Sequence, residues 1–191
     1  MCIRDSYFLS KTKAEKAAWK LMESKGLKNK LTTINPGGVF GDALDKKGGT
    51  SIEYIRQFMK GKFPGAPKFA VLISDVKDIA KAHVACIGNN KVGGRRLIVG
   101  KDVKRLVELS QLIAEAMPEY KKKLPTKELP NLMVKLISYI DSSAKTMIPD
   151  LGIMMQTDTS YAEEILGFKF KPAKGCISCL LYTSPSPRDR V

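Results

Sequence analysis

Tyr7 and Lys11 stand four residues apart in the stretch YFLSKTKAEKAAW. On a helix that spacing stacks a phenol and an ammonium one turn apart on a single face. The cation favours the phenolate and so eases proton transfer from the hydroxyl. Such a pair can hand a proton to an oxygen on which negative charge is developing. Spacing alone is a weak signal, because a chain this rich in lysine is expected to contain about one Tyr-x-x-x-Lys by chance. The helix face adds to it. Ala14, Ala17, Ala18, Leu21 and Met22 form a narrow apolar stripe. Projected backwards in steps of three and four, the stripe passes through Lys11, Ser10 and Tyr7, while Lys13, Lys16 and Lys20 fall on the opposite face. A lysine on a packing face needs a partner or must snorkel back to water. On this helix alone, a frayed first turn and a catalytic pair both remain open.

A second stretch with chemical potential is LTTINPGGVFG, in which a strand expected over Leu31–Ile34 runs into Pro36, Gly37, Gly38 and Val39. A glycine-rich loop after a strand lets backbone approach a ligand closely; an ordinary turn is the competing reading. Cys176-Ile-Ser-Cys179 has the spacing of a redox or zinc pair. No second such pair exists and His83 is the single histidine, so a four-ligand zinc site is excluded and no metal is expected. His83 reads as a structural or exposed mid-helix residue, and Lys121–Lys123 as a solvated loop.

The elements that must hold these residues alternate between the two periods. A helix over the first stretch stops at Gly26. Helices are expected over Ser51–Met59, from a Ser74 or Asp75 cap onward, over Asp102–Met117, over Leu132–Met147 and within Thr157–Phe168. Short strands are expected at Phe69–Ile73 and at RRLIVG, with loops at Lys62–Pro67 and Lys121–Pro130. Strands alternating with helices indicate an α/β fold.

Composition narrows the function. The formal net charge is +14, yet the basic residues are mostly dispersed lysines without interleaved aromatics, which argues against nucleic-acid binding. There is neither a membrane-length apolar run nor a secretory signal pattern, and the lone Cys86 and Cys176 suit a reducing, cytoplasmic compartment. The two ends, MCIRDS and CLLYTSPSPRD, back-translate to complementary DNA, as a transposase sequencing adapter read in frame would. Residues 1–6 and 179–191 are therefore expected to be adapter-like tails around a genuine segment 7–178.

In order and spacing, four stretches resemble the extended short-chain dehydrogenase/reductase superfamily, nearest its dihydroflavonol reductase, cinnamoyl-CoA reductase and aldehyde/ketone reductase branch. YFLSKTKAEKAAW resembles the active-site helix and LTTINPGGVFG the strand and loop beside the nicotinamide. ISDVKDIAKAHV and TDTSYAEEILGF resemble the later motifs of that branch. The resemblance implies the C-terminal half of a Rossmann-type enzyme with a small substrate-side α/β subdomain, reducing an aldehyde or ketone with NADP or NAD, NADPH being slightly preferred. It implies Tyr7 as proton donor, Lys11 as its partner and as a ligand of the nicotinamide ribose, and Pro36, Gly37, Gly38 and Val39 as the border of the nicotinamide ring. The Gly-rich phosphate loop and a catalytic Ser or Thr are absent from this sequence, so the chain is expected to be inactive by itself. The implied partner is a small carbonyl or alcohol substrate. A sugar-nucleotide epimerase or dehydratase of the same superfamily is one alternative; a non-catalytic NAD(P)- or RNA-binding protein is another.

Overall fold

A computed structural model of the chain describes residues 3–42, 50–61, 64–139, 142–145 and 147–183. The first helix, α1 (Ile3–Ser24), is followed by strand β1 (Thr32–Pro36), whose Thr32, Thr33 and Ile34 are β-branched. β1 pairs in parallel with β5 (Arg95–Val99), with Thr33 opposite Arg96, Ile34 opposite Leu97 and Asn35 opposite Ile98. A parallel pair needs a long crossover. Here the crossover holds β2 (Gly38–Phe40), α2 (Thr50–Met59), β3 (Ala66–Pro67), β4 (Ala70–Asp75) and α3 (Val76–Cys86).

Side chains alternate across the β1–β5 pair. Leu97 and Val99 are fully buried, and with Ile34 they meet Ala82 and Ile79 of α3 and Ala162 and Leu166 of α7 (Ser160–Leu166). Thr33, Asn35, Arg96 and Ile98 lie on the other face, towards α1. The result is a helix–sheet–helix sandwich, the layering of a Rossmann-type unit. Among the described residues β1 pairs with β5 alone.

The second layer is built on the three-stranded order β2–β4–β6, where β6 (Val103–Arg105) runs antiparallel to β4 and β2 parallel to it. Its core joins Phe58 of α2, Ile73 of β4, Leu109 and Ile113 of α4 (Leu106–Ala116), and Ile177 and Leu180 of α8 (Ala173–Thr183). The remaining elements are β7 (Glu128–Leu129), paired with β3, then α5 (Asn131–Ile137) and α6 (Ser142–Lys145).

Several sequence expectations need correction. Asp102–Arg105 is not the first turn of a helix: Val103–Arg105 extends along β4, and α4 starts only at Leu106. A short run on the open edge of β4 gains more from pairing than from lengthening the helix. The expected helix over Leu132–Met147 is two shorter ones, α5 and α6. Pro36 ends β1 rather than opening a turn, and β2 resumes at Gly38. On α1, Ala14, Ala17 and Leu21 are exposed, and the half-buried face is Glu15, Ala18, Trp19 and Met22. Helix also runs into residues of both expected adapter-like tails, which leaves the expected boundaries at 7 and 178 untouched: α1 begins at Ile3, and α8 continues to Thr183 with Leu180 and Leu181 buried.

Candidate active site

Glu15 sets the geometry at this end of the molecule. Its Oε1 accepts from Trp19 Nε1 at 3.1 Å, Thr33 Oγ1 at 3.2 Å and Arg96 Nε at 2.5 Å. Its Oε2 accepts from Asn35 Nδ2 at 3.2 Å and Arg96 Nη2 at 3.1 Å. One carboxylate thereby ties α1 to both strands of the first sheet. The Arg96 hydrogen bond, helped by those of Trp19 and Asn35, outweighs partial burial and holds the Glu15 carboxyl at about 2, well below its usual 4.5.

The direction of α1 follows. Its C-terminus feeds β1 through a short link that includes a single 3-10 turn at Lys28–Lys30. Glu15, more than two turns earlier, meets Thr33 and Asn35. The helix therefore runs antiparallel to β1, and its N-terminal turns extend past the C-terminal end of that strand. At 1.5 Å of rise per residue, Lys11 lies about 6 Å and Tyr7 about 12 Å beyond Glu15. Lys11, Glu15, Ala18 and Met22 recur at four, three and four residues, so Lys11 shares the strand-facing side. Lys13, Lys16 and Lys20 are exposed on the far side.

Tyr7 and Lys11 stand together: the Lys11 ammonium lies 5.4 Å from the centroid of the Tyr7 ring. Both are exposed, Tyr7 at 57%. The Tyr7 ring also meets Phe8 edge-on at 5.7 Å. Ser10 donates to the Tyr7 carbonyl at 2.7 Å, a local back-bond that leaves its hydroxyl committed to the helix. Because α1 starts at Ile3, Tyr7 is already past the first turn, where the helix dipole acts most strongly.

Pro36 is exposed at the end of β1, and Val39 is 37% exposed on β2. Gly37 answers a packing demand. A Cβ there would meet the Leu72 carbonyl oxygen at 2.2 Å, and one on Gly38 would touch the Phe40 ring at 3.0 Å. The Gly37 N–H donates to Ser74 Oγ at 2.9 Å, and that hydroxyl donates to the Val99 carbonyl at 2.6 Å. Fully buried Ser74 thus bolts the loop to both sheets.

Sequence reasoning missed Glu15, Asn35, Ser74 and Arg96. One signal was available for Glu15: an acidic residue four positions after Lys11, on the same helical meridian. His83 is exposed and its Nδ1 lies 2.8 Å from the Ile79 carbonyl, within α3. Cys176 is fully buried, and burial pushes its thiol up to about 12, which suits packing rather than chemistry. No group of three or more potential metal ligands occurs among the described residues. No described helix is long and apolar enough to cross a membrane.

The sequence is 30% identical over 184 residues to the NADPH-dependent methylglyoxal reductase GRE2 of Saccharomyces cerevisiae, covering 91% of this chain and 48% of that protein. It is 34% identical over 114 residues to the cinnamoyl-CoA reductase CAD2 of Medicago truncatula, covering 59% of this chain and 33% of that one. The structure of yeast methylglyoxal/isovaleraldehyde reductase Gre2 complexed with NADPH matches with a TM-score of 0.64 at 27% identity, covering 89% of this chain and 52% of that chain. These relatives and the matched structure are reductases of the extended short-chain dehydrogenase/reductase superfamily, which this chain resembles in sequence and in fold. The chain spans about half the length of the yeast reductase it matches. No family model matches. The α1–β1–β5 sandwich has Rossmann-type layering, and the three-stranded β2–β4–β6 sheet carries the larger buried core among the described residues.

Proposed function

We propose that this chain is the C-terminal part, residues 7–178, of an NAD(P)H-dependent reductase of aldehydes or ketones. The observation that carries the reading is the shared meridian of Tyr7 and Lys11, held past the C-terminal end of β1 by the Glu15 cluster. Ligands of open α/β sheets bind at that end. The relatives named above, whose names specify carbonyl reduction and in one case NADPH, support the same reaction class and favour NADPH over NADH.

The residues around this end fit a nicotinamide nucleotide. Beyond the cation and the phenol, Val39 of β2 and Ile98 of β5 expose apolar side chains, and among the described residues no donor reaches the buried Asn35 Oδ1 atom. Lys11 would hold the ribose hydroxyls, and Pro36 and Val39 would border the ring, with Gly37 and Gly38 keeping the loop close to β4. When bound, the cofactor supplies the hydride. Tyr7 donates its hydroxyl proton to the substrate oxygen as negative charge develops there. The Lys11 ammonium steadies the resulting phenolate. Pro36 has no N–H to leave unpaired beside the ring. The free thiols Cys86 and Cys176 suit a reducing cytoplasm.

The test is Tyr7→Phe in the full-length enzyme that carries this segment. Loss of the proton donor lowers kcat by about 10²–10⁴-fold and largely spares cofactor binding. Near-normal kcat in that variant refutes the assignment.

A further inference from the structure

We propose that Glu15 is a positioning residue for the reaction: it sets where Tyr7 and Lys11 stand by locking the rotation and slide of α1 against β1 and β5. The proposal rests on the Tyr7–Lys11 reading above.

Within this segment, apolar packing holds α1 only weakly. Ala14, Ala17 and Leu21 are exposed, which leaves Ala18, Trp19 and Met22 as a thin, half-buried contact. Apolar contact is non-directional, so a helix held by so little of it can slide or roll at small cost. A carboxylate facing the sheet is different. Taking it out of water is unfavourable unless its oxygens are hydrogen-bonded. Glu15 meets that need with five donor atoms on four residues of three elements: Trp19 of its own helix, Thr33 and Asn35 of β1, and Arg96 of β5. Thr33 and Arg96 are register partners, and Asn35 is the next residue of β1 on the same face. The donors therefore sit at fixed points of the sheet, and only one placement of α1 satisfies them together.

The two-bond Arg96 fork adds direction to strength. The same fork extends the ionised range of Glu15 below its usual 4.5 into acid. Lys11 is one turn from this anchor and Tyr7 two. A displacement of about 1 Å at reacting groups can cost on the order of 10²-fold in rate.

The experiment uses the full-length reductase carrying this segment, with NADPH and the best substrate of a panel of methylglyoxal, isovaleraldehyde and benzaldehyde. Glu15→Gln, Arg96→Gln, the double variant and Tyr7→Phe are compared for kcat, aldehyde KM and melting temperature. Glu15→Gln is expected to lower kcat about tenfold or more while KM changes by less than about threefold. Arg96→Gln should do the same, and the double variant should be no worse than the poorer single. Arg96 is exposed, so its variant keeps the test alive should Glu15→Gln fail to fold. Unchanged kcat in either folded single variant, even with a lower melting temperature, overturns the positioning role, as do fully additive losses. If Tyr7→Phe keeps its activity, or the parent reduces none of the panel, the catalytic reading falls and this proposal with it. If Tyr7→Phe is inactive and Glu15→Gln is not, this proposal alone falls.

Discussion

Glu15 and Arg96, 81 residues apart in the chain, close a two-bond carboxylate–guanidinium pair, Nε to Oε1 at 2.5 Å and Nη2 to Oε2 at 3.1 Å. The pair spans the first helix and the second strand of the Rossmann-type sheet. A surface ion pair contributes little by itself. This one is reinforced by Thr33, Asn35 and Trp19, and it stands one turn from Lys11, so its consequence is geometric.

Lys11→Met in the full-length enzyme should damage both of the steps proposed for Lys11. We expect kcat to fall by two or more orders of magnitude, in the range of a lost acid–base partner, and the KM for NADPH to rise. Tyr7→Phe should change kcat with little effect on that KM. Steady-state kinetics with varied NADPH separate the two. Identical profiles for the two variants would remove the cofactor role of Lys11.

Acid should loosen the molecule through Glu163 as well as Glu15. Glu163 is 3% exposed and pairs with Lys101 at 2.7 Å and Lys169 at 3.0 Å, and it accepts the Phe170 N–H at 3.0 Å. Burial alone would raise its carboxyl, but the Lys101, Phe170 and Lys169 hydrogen bonds overcome that and bring it to about 2 from 4.5. The folded value lies below the unfolded one, so its stabilisation is complete above about pH 4.5 and is lost as pH falls towards 2. Melting temperature followed from pH 7 to pH 2.5 should drop for the native chain. Glu163→Gln should start lower and fall less. Parallel curves would show that Glu163 does not carry the linkage.

Gly37→Ala should be among the most damaging single-methyl additions in the chain. The new Cβ meets the Leu72 carbonyl oxygen at 2.2 Å, and backbone cannot rotate aside. Overpacking of this kind costs about 1–3 kcal/mol, and each kcal/mol lowers the melting temperature of a domain of this size by about 2–4 °C. Gly88→Ala is the comparison: its Cβ meets nothing within 4 Å, although its φ of +72° still penalises a side chain. Equal melting temperatures for Gly37→Ala and the native chain would contradict the close β2–β4 approach.

The 191-residue chain assayed alone should not turn over NADPH with any aldehyde of the panel. It contains no Gly-rich phosphate loop to hold the pyrophosphate, and β1 pairs on one side only among the described residues. Saturable NADPH oxidation by the purified polypeptide would show that these residues suffice.

Much of the architecture was legible where a local rule decides it. Val76–Cys86 is a helix with Asp75 accepting the Lys77 N–H as its cap, and Ser160–Leu166 stops at Gly167 with φ +75°, because caps and left-handed glycines act over three or four residues. Val103–Arg105 was misread because its pattern also suits a helix, and the deciding partner, Ala70–Leu72, lies some thirty residues earlier. The buried face of α1 was turned by part of a helical step for a similar reason. Counting apolar residues passes over Glu15, and only the Arg96, Asn35 and Thr33 donors make a carboxylate an inward-facing residue.

The sequence by itself determined that Tyr7 and Lys11 share a helix face, that a strand and a Pro-Gly-Gly stretch follow them, and that the order of motifs resembles a reductase branch. These depend on helical and strand periods and on residue identity, which are written locally. Tertiary structure alone decided that α1 runs back over β1, and that Gly37 is glycine because Leu72 backbone occupies its side-chain space. It also decided that Ser74 joins two sheets and that Glu15 anchors the Tyr7–Lys11 turns. Each of these is a contact between residues far apart in sequence, and no local period encodes which distant donor will meet a buried acceptor.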